Sequence, residues 1–424
     1  MRDPIYKRRP VEPNPVRFDS ARRINDFIVL CEAFSNCYLL ETPEGNVQVN
    51  AGMGIEAPVI KHNFDAFSRR ALRYLILTQG HVDHVGGVAY FRRENPGLQV
   101  VAQADNPEHQ AYDARLASFR ANRSAFAFTH KFAAAFEHFA EHGYSDFPEQ
   151  DTPTPDILVQ SRERISLGGL ELELIAVPGA ETNDSLIVWL PQHRICLTGN
   201  LFGCSFGHFP NLVTIRGDRY RDALTVAAAV QTVLDLEPDM LLYGHHGPVE
   251  GATLIREELS VLRDAILYVH DATVRGMNDG VDLPTLMADI RLPPALEVGE
   301  GYGKVSWSVR AIWENYAGWF KHRSTTELYG ASEAAIAPDL VALAGGPDAI
   351  VTRARARLAE GDAVAALQLL DIVLSGHANA AGAREVAIEA HERLLRSAEN
   401  FWLQSWLRQQ IALLRAAEVS PQSG

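Results

Sequence analysis

Thr78-Gln79-Gly80-His81-Val82-Asp83-His84-Val85-Gly86-Gly87 follows directly on the apolar run Tyr74 to Leu77. Two imidazoles and a carboxylate within four positions, on the turn leaving a strand, place three metal-capable groups around one point. Asp83 and His84 are adjacent, so both face one side only on a loop and not within a regular strand. Gly86 and Gly87 permit a sharp turn and a close approach to the backbone. A satisfied buried histidine pair beside a capping aspartate is the structural alternative.

Outward from this stretch the chain alternates strands and helices. Phe27 to Leu30 and Cys37 to Leu40 read as strands before a hairpin turn at Pro43-Glu44-Gly45, and Val47 to Gly52 follows. Leu72 to Thr78 is a buried strand ending at the motif, and Val100 to Ala102 is another. Residues 105–148 read as a helical insert whose His109, His130, His138 and His142 are surface or packing residues. Further strands are expected at Leu170 to Val177, Leu186 to Leu190, Ile195 to Leu197 and Met240 to Tyr243, with an amphipathic helix from Arg219 to Leu236. Strands ending in polar loops among helices describe an α/β layered domain. Beyond residue 251 the periodicity is helical, broken near Leu292-Pro293-Pro294 and Glu300-Gly301-Tyr302-Gly303, so a boundary is expected between 250 and 260. Residues 349–414, two Ala-rich helices around Gly361-Asp362, resemble a tetratricopeptide-like hairpin. Trp307, Trp313 and Trp319 read as core or dimer contacts.

The bulk properties narrow the function. The 424 residues suffice for two domains, and 47% hydrophobic with 22% charged residues is an ordinary globular composition. A net charge of −14 argues against nucleic-acid or anionic-membrane binding, so an anionic small substrate needs a local basic pocket. Cys31, Cys37, Cys196 and Cys204 lie in or beside apolar runs without CxxC spacing, as expected of reduced, buried thiols. The N-terminus lacks an apolar signal-peptide core and no run is long enough to span a membrane, so a soluble, cytoplasmic protein is expected.

Other candidate ligands lie at later strand ends: Glu181 after Val177-Pro178-Gly179-Ala180, Asn200 after Thr198-Gly199, and His245 after Tyr243-Gly244. The stretch 78–87 resembles the HxHxDH signature of the metallo-β-lactamase superfamily, with Gln79 in place of its first histidine. The likeness covers about residues 25–250, where five strand-end motifs recur in order. A closer likeness is carried by Asn211-Leu212-Val213-Thr214-Ile215-Arg216-Gly217 with Arg221, which resembles the sulfate-binding segment of the zinc-dependent (type III) alkylsulfatases. Tyr268 to Arg275 is similar to the start of that family's helical dimerisation domain, and Tyr302 to Ser306 and Leu343 to Gly346 continue the similarity.

The resemblance implies an α/β chain, a metallo-β-lactamase αββα sandwich followed by an all-α helical dimerisation domain. Its expected parts are a polar N-terminal arm (1–25), a catalytic domain (26–255), the helical domain (256–415) and a tail (416–424). It implies a two-metal centre: Gln79, His81 and Glu181 at the first metal, Asp83, His84 and His245 at the second, and Asn200 in the bridging position. Asp83 and His84 are the expected catalytic pair, and His245 is preferred to His246 because it sits without a gap at the strand end. Asn211, Arg216 and Arg221 are expected to grip the substrate's anionic group. Gln79, Asn200 and Asn50 each stand where the pattern has a stronger ligand or a charge, so one site is expected to hold its ion tightly and the other weakly. Zinc is the expected ion, one or two per chain, with manganese or iron as alternatives. The implied activity is hydrolysis of a sulfate ester or similar anionic ester by a metal-activated water in a homodimer formed through the helical domain. The alternatives are another hydrolase of this fold (lactonase, carboxylic or phosphate esterase, β-lactamase-like amidase), a weakened homologue that only binds ligand, or an interaction module. The family's C-terminal sterol-carrier-like domain is expected to be absent from a chain reaching only Gly424.

Overall fold

Alternation at period two along the early strands decides the layering. In β2 (Ile28–Cys31), after β1 (Arg22–Arg23), Ile28 and Leu30 turn to one side while Val29 and Cys31 turn to the other, and all four are buried. A strand apolar on both faces needs a layer on each. The computed structural model, which describes residues 3–330, 332–376 and 381–419, supplies both.

β1 and β2 begin a seven-stranded sheet that continues in order through β3 (Cys37–Thr42), β4 (Gly45–Val49), β5 (Leu72–Ile76), β6 (Gln99–Gln103) and β7 (Ile157–Val159). The pairings from β4 to β7 are parallel and the earlier ones antiparallel. A six-stranded sheet holds β8 (Arg162–Leu167), β9 (Leu170–Ala176), β10 (Leu186–Leu190), β11 (Ile195–Gly199), β12 (Met240–Tyr243) and β13 (Val249–Glu250), running in order from β13 to β8. Ile28, Leu30, Tyr38, Val47 and Ile76 of the first sheet meet Leu172, Leu174, Val188, Leu197 and Leu242 of the second in one apolar layer.

Helices cover both outer faces. α1 (Ala57–Asp65), the single turn α2 (Val82–Val85), α3 (Val88–Glu94) and the later α5 (Ala117–Glu141) bury Ile60, Phe64, Val85, Phe91 and Phe139 against Val29, Leu39, Leu75 and Val100. α4 (Asn106–Arg115) precedes α5, so the expected insert over 105–148 is two helices. On the other face, α6 (Ala223–Leu236), α7 (Ala252–Asn278), α8 (Leu283–Asp289) and α9 (Val305–Ala317) pack with Ile187, Trp189, Cys196 and Tyr243 in a second large cluster. The arrangement is the αββα sandwich expected.

Two expectations need correction. α6 starts at Ala223 and not Arg219, because Asp222 adopts an extended conformation and caps Thr225 N–H, leaving Arg219 and Arg221 in the preceding loop. β7 and β8 fell outside the expected strands. β8 is an edge strand whose Arg162-Glu163-Arg164 is exposed, so its signal is polar. Within the polar N-terminal arm, Ile5 lies in the core with its N–H donated to Glu258 (3.0 Å), and Val16 is fully buried.

The chain divides into two compact units, Met1–Tyr316 and Ala317–Gly424, later than the change in periodicity near residue 250. The reason is α7, which is helical yet buries Leu259, Leu262, Ile266 and Val269 in the same cluster as α6 and β12. In the second unit α10 (Ala337–Leu343), α11 (Pro347–Ala359), α12 (Ala363–Gly376), α13 (Ala381–Ser397) and α14 (Phe401–Val419) bury Ala354, Ala366, Leu370, Val386 and Ala390 among themselves. No single helix among the described residues is long and apolar enough to cross a membrane.

Candidate metal centre

The expected ligands cluster where four strands end on one rim of the sandwich. Past β5 the chain runs through Gln79, Gly80 and His81 into α2, so Asp83 and His84 sit on a helical turn and not on an open loop. Ala51 N–H, just past β4, donates to His84 carbonyl (2.8 Å) and fixes that turn. A Cβ at Gly87 would come within 2.4 Å of Ala51 carbonyl, so only glycine allows this approach. β9, β11 and β12 deliver Glu181, Asn200 and His245 to the same rim.

Asp83, His84 and His245 bring their ligand atoms within 4.8 Å of one another; Asp83 is partly covered and both imidazoles are buried. Two hydroxyls and one amide surround the His84 ring. Thr78 Oγ1 donates to Asn50 Oδ1 (2.9 Å), and Ser35 Oγ to Gly244 carbonyl (3.5 Å). His84 Nδ1 lies 3.0 Å from Ser35 Oγ and 3.3 Å from Thr78 Oγ1. Nε2 faces the Asn200 NH2 group at 3.1 Å and so accepts; Nδ1 then carries the ring proton, and the Nε2 lone pair faces the cluster, as a metal ligand requires. Asn50 enters the centre in this way, through Thr78. Burial holds His84 and His245 down to about 3, so both are neutral imidazoles ready to ligate. Burial also raises the Asp83 carboxyl, opposed by His245 and Arg216.

Asn200 lies between the two imidazoles, Nδ2 at 3.1 Å from His84 Nε2 and 3.0 Å from His245 Nε2, while its buried Oδ1 has no hydrogen-bond partner among the described residues. Two imidazole nitrogens that hold only a neutral amide between them, with a carboxylate oxygen within 4.8 Å, suit a divalent cation. His246 is buried but belongs to no such cluster; its backbone turns at φ 64° and its carbonyl accepts from Asn36. Among the described residues the other group of this kind is His138, Glu141 and His142 at the end of α5, where the two later residues are exposed.

Gln79, His81 and Glu181 lie beside this cluster in a different state. His81 Nδ1 faces Gln79 Nε2 at 2.7 Å, with Glu181 Oε1 at 4.0 Å. His81 Nε2 lies 3.3 Å from Asp218 Oδ2 and 3.1 Å from Arg216 Nη2. Burial, and then the Arg216 charge, push the His81 pKa well down, while the His81 hydrogen bond and neighbouring guanidiniums hold the Asp218 carboxyl well below its usual range despite its burial. Glu181 pairs with Arg221 at 3.0 Å.

The three expected anion-binding residues divide. Arg221 is buried and spent on internal acceptors: Glu181 carboxylate, Glu181 carbonyl and Asn211 carbonyl. Asn211 is likewise buried. Arg216 keeps a side chain 21% exposed, and its Nε has no hydrogen-bond partner among the described residues. Arg216 is thus the one of the three with a donor to offer.

Several groups that shape this site were not among the expected residues. Asp218 binds His81 and also accepts from Arg120 of α5 at 2.9 Å. Asp184 accepts from Gly80 N–H (3.1 Å) and from Asn106 Nδ2 (2.7 Å), tying the motif loop to α4. His109, expected as a surface or packing residue, is buried with its ring 5.6 Å from that of His81. Tyr302 carries charge neighbours Arg216, Glu181 and Asp83, and its burial raises the phenol well above its usual range. The charge-dense run Arg216-Gly217-Asp218-Arg219-Tyr220-Arg221 was the available signal for Asp218.

Residues 32–269 match the model of the metallo-beta-lactamase superfamily, and residues 284–416 match that of the alkyl sulfatase dimerisation family. The chain is 26% identical over 382 residues to a linear primary-alkylsulfatase of a Pseudomonas strain, covering 87% of this chain and 72% of that protein. It is 26% identical over 356 residues to the alkyl/aryl-sulfatase BDS1 of Saccharomyces cerevisiae, covering 80% of this chain and 54% of that one. The solved structure of the stereoselective inverting sec-alkylsulfatase Pisa1 from Pseudomonas superposes with a TM-score of 0.80 at 20% identity, over 95% of this chain and 66% of that one. The chain thus spans about half to three quarters of the length of these relatives. It belongs to the metallo-beta-lactamase superfamily, and its later helices carry the alkyl sulfatase dimerisation family's pattern.

Proposed function

We propose that this protein is a metal-dependent hydrolase of a sulfate ester. The observation that carries the reading is the convergence of Asp83, His84 and His245 beside a guanidinium with a free donor, Arg216. The likeness to curated alkylsulfatases supports sulfate over other anions. Asp83, His84 and His245 would hold the ion, with zinc favoured by the mixed imidazole and carboxylate set and manganese or iron as alternatives. A divalent cation there supplies Lewis acidity that brings a water's pKa to about 7.

The chain's own groups do the rest. Arg216 Nε and its neighbouring nitrogens match the oxygens of a tetrahedral anion and would hold the sulfate against the rim. The same charge offsets negative charge that grows on the sulfate as the ester bond breaks. Ser35 Oγ and Thr78 Oγ1, the latter held by Asn50, are placed to accept the His84 Nδ1 proton, which would leave Nε2 free to hold the ion.

The matched dimerisation region supports a homodimer, as do Trp319, Tyr329 and Leu343, which are exposed on the 317–424 unit. The test of activity is a panel of alkyl sulfates, phosphate monoesters and carboxylic esters assayed with added zinc or manganese. Release of inorganic sulfate that stops on chelation is expected. Hydrolysis of only phosphate or carboxylic esters would contradict the sulfate reading, and hydrolysis that survives chelation would contradict the metal.

A further inference from the structure

We infer that the centre holds a single metal ion, because the subsite beside Asp83, His84 and His245 is closed by a hydrogen-bonded chain through Gln79, His81 and Asp218. The inference rests on the hydrolase reading and departs from the two-metal arrangement expected from resemblance.

The amide of Gln79 has a fixed direction. Its Oε1 accepts the backbone N–H of Asn200 at 3.2 Å, so the face it turns to His81 is the NH2 group, 2.7 Å from Nδ1. Turning the amide over would set NH2 against a backbone N–H. A residue in the place of a histidine ligand therefore offers a cation two N–H groups and no lone pair.

That orientation decides His81 as well. With Nδ1 accepting from Gln79, the neutral ring carries its proton on Nε2, and the acceptor there is Asp218 Oδ2 at 3.3 Å. Arg216 Nη2, 3.1 Å from the same nitrogen and 3.7 Å from Asp218, then contributes charge and not a hydrogen bond to the ring. Both ring nitrogens of His81 are occupied. Asp218 is its positioning residue.

Charge excludes a second cation too. Glu181 is paired with Arg221 at 3.0 Å, and Asp218 has Arg120 at 2.9 Å, Arg216 at 3.7 Å and Arg221 at 3.9 Å. Three guanidiniums already surround these two carboxylates, so a dication would enter an environment without spare negative charge. Asp83, His84 and His245 have no such cationic pairing at hydrogen-bond distance; the group facing both Nε2 atoms is the neutral Asn200 amide (3.1 and 3.0 Å), whose Oδ1 has no hydrogen-bond partner among the described residues, so unlike Gln79 it can turn its oxygen to a cation.

The test is metal stoichiometry of the full chain. Stripped protein titrated with zinc by calorimetry, with elemental analysis after desalting, is expected to hold one equivalent. His84→Ala is expected to lose it and His81→Ala to keep it, with circular dichroism checking that both variants fold. Restoring ligands by Gln79→His together with Asn200→Asp is expected to raise the content toward two. Two tightly held equivalents in the unaltered chain, or loss of the single one in folded His81→Ala, overturns the inference while the hydrolase reading stands. No retained zinc at all overturns both.

Discussion

Two arginines five positions apart do opposite work, and this separation is testable. Arg216 has an unspent Nε donor, so Arg216→Ala should lower kcat/KM for an alkyl sulfate by about 10- to 100-fold, the worth of one or two charge-assisted hydrogen bonds, with the melting temperature nearly unchanged. Arg221 instead neutralises buried Glu181, and Arg221→Ala should cost about 3–5 kcal/mol of stability in thermal unfolding by leaving that charge unpaired. Equal effects of the two substitutions on activity and stability would refute the division. At this scale much was legible: His81, Asp83 and His84 share one strand-end turn, and His245 follows a strand directly. Arg120 and Asp184 were not, because each reaches the site from a segment whose meaning appears only when α4 and α5 close over the rim, and Asp218, though inside the charged run 216–221, shows its role only once it meets His81 and Arg120. The direction of the Gln79 amide was equally hidden, since it is set by a backbone N–H more than a hundred residues away.

Elements hold the rim through a few buried polar anchors. Glu56, before α1, accepts N–H groups from Val16 (2.8 Å), Phe34 (3.0 Å) and Met53 (3.1 Å), joining the N-terminal arm, the β2–β3 turn and the approach to α1. Glu56→Ala would strand three buried donors at roughly 1–3 kcal/mol each, so a loss of several kcal/mol in denaturant unfolding is expected; a loss below about 1 kcal/mol would show that water takes over the role. Period-two patterns revealed the strands that are buried or alternate strictly, β2 to β6 and β9 to β12. The pattern was silent for β8, whose exposed Arg162-Glu163-Arg164 pairs only on one edge, and it placed the start of α6 too early because the loop before it is as charged as a helix surface.

Across the whole molecule, burial of neutral imidazoles sets the response to acid. His84 and His245 are held down to about 3 and His208 and His246 to about 4, all by burial first. Unfolded histidines take up protons near pH 6.5, so between that value and pH 4 the unfolded chain binds more protons and stability falls as pH falls. Glu56, pushed up to about 7 by burial, acts the other way, as do the raised carboxyls of Asp83, Asp113, Glu181 and Asp371, while the lowered imidazoles of His81 and His138 act with the other four. The melting temperature of metal-free protein should therefore drop between pH 7 and pH 5, and a constant or rising value would contradict this balance. The layering of helices on strands was legible in the apolar runs, while the two-sheet sandwich came from the likeness of the strand-end motifs to a known family; the extent of the first unit was not legible, because α7 reads as helix whichever unit it joins. The claim on which the functional reading depends is one cation among Asp83, His84 and His245. Anomalous X-ray scattering at the zinc edge from crystals grown with zinc tests it most directly. A single strong peak within bonding distance of Asp83, His84 Nε2 and His245 Nε2 is expected. A peak centred on His81 and Glu181, or none at either place, would contradict it.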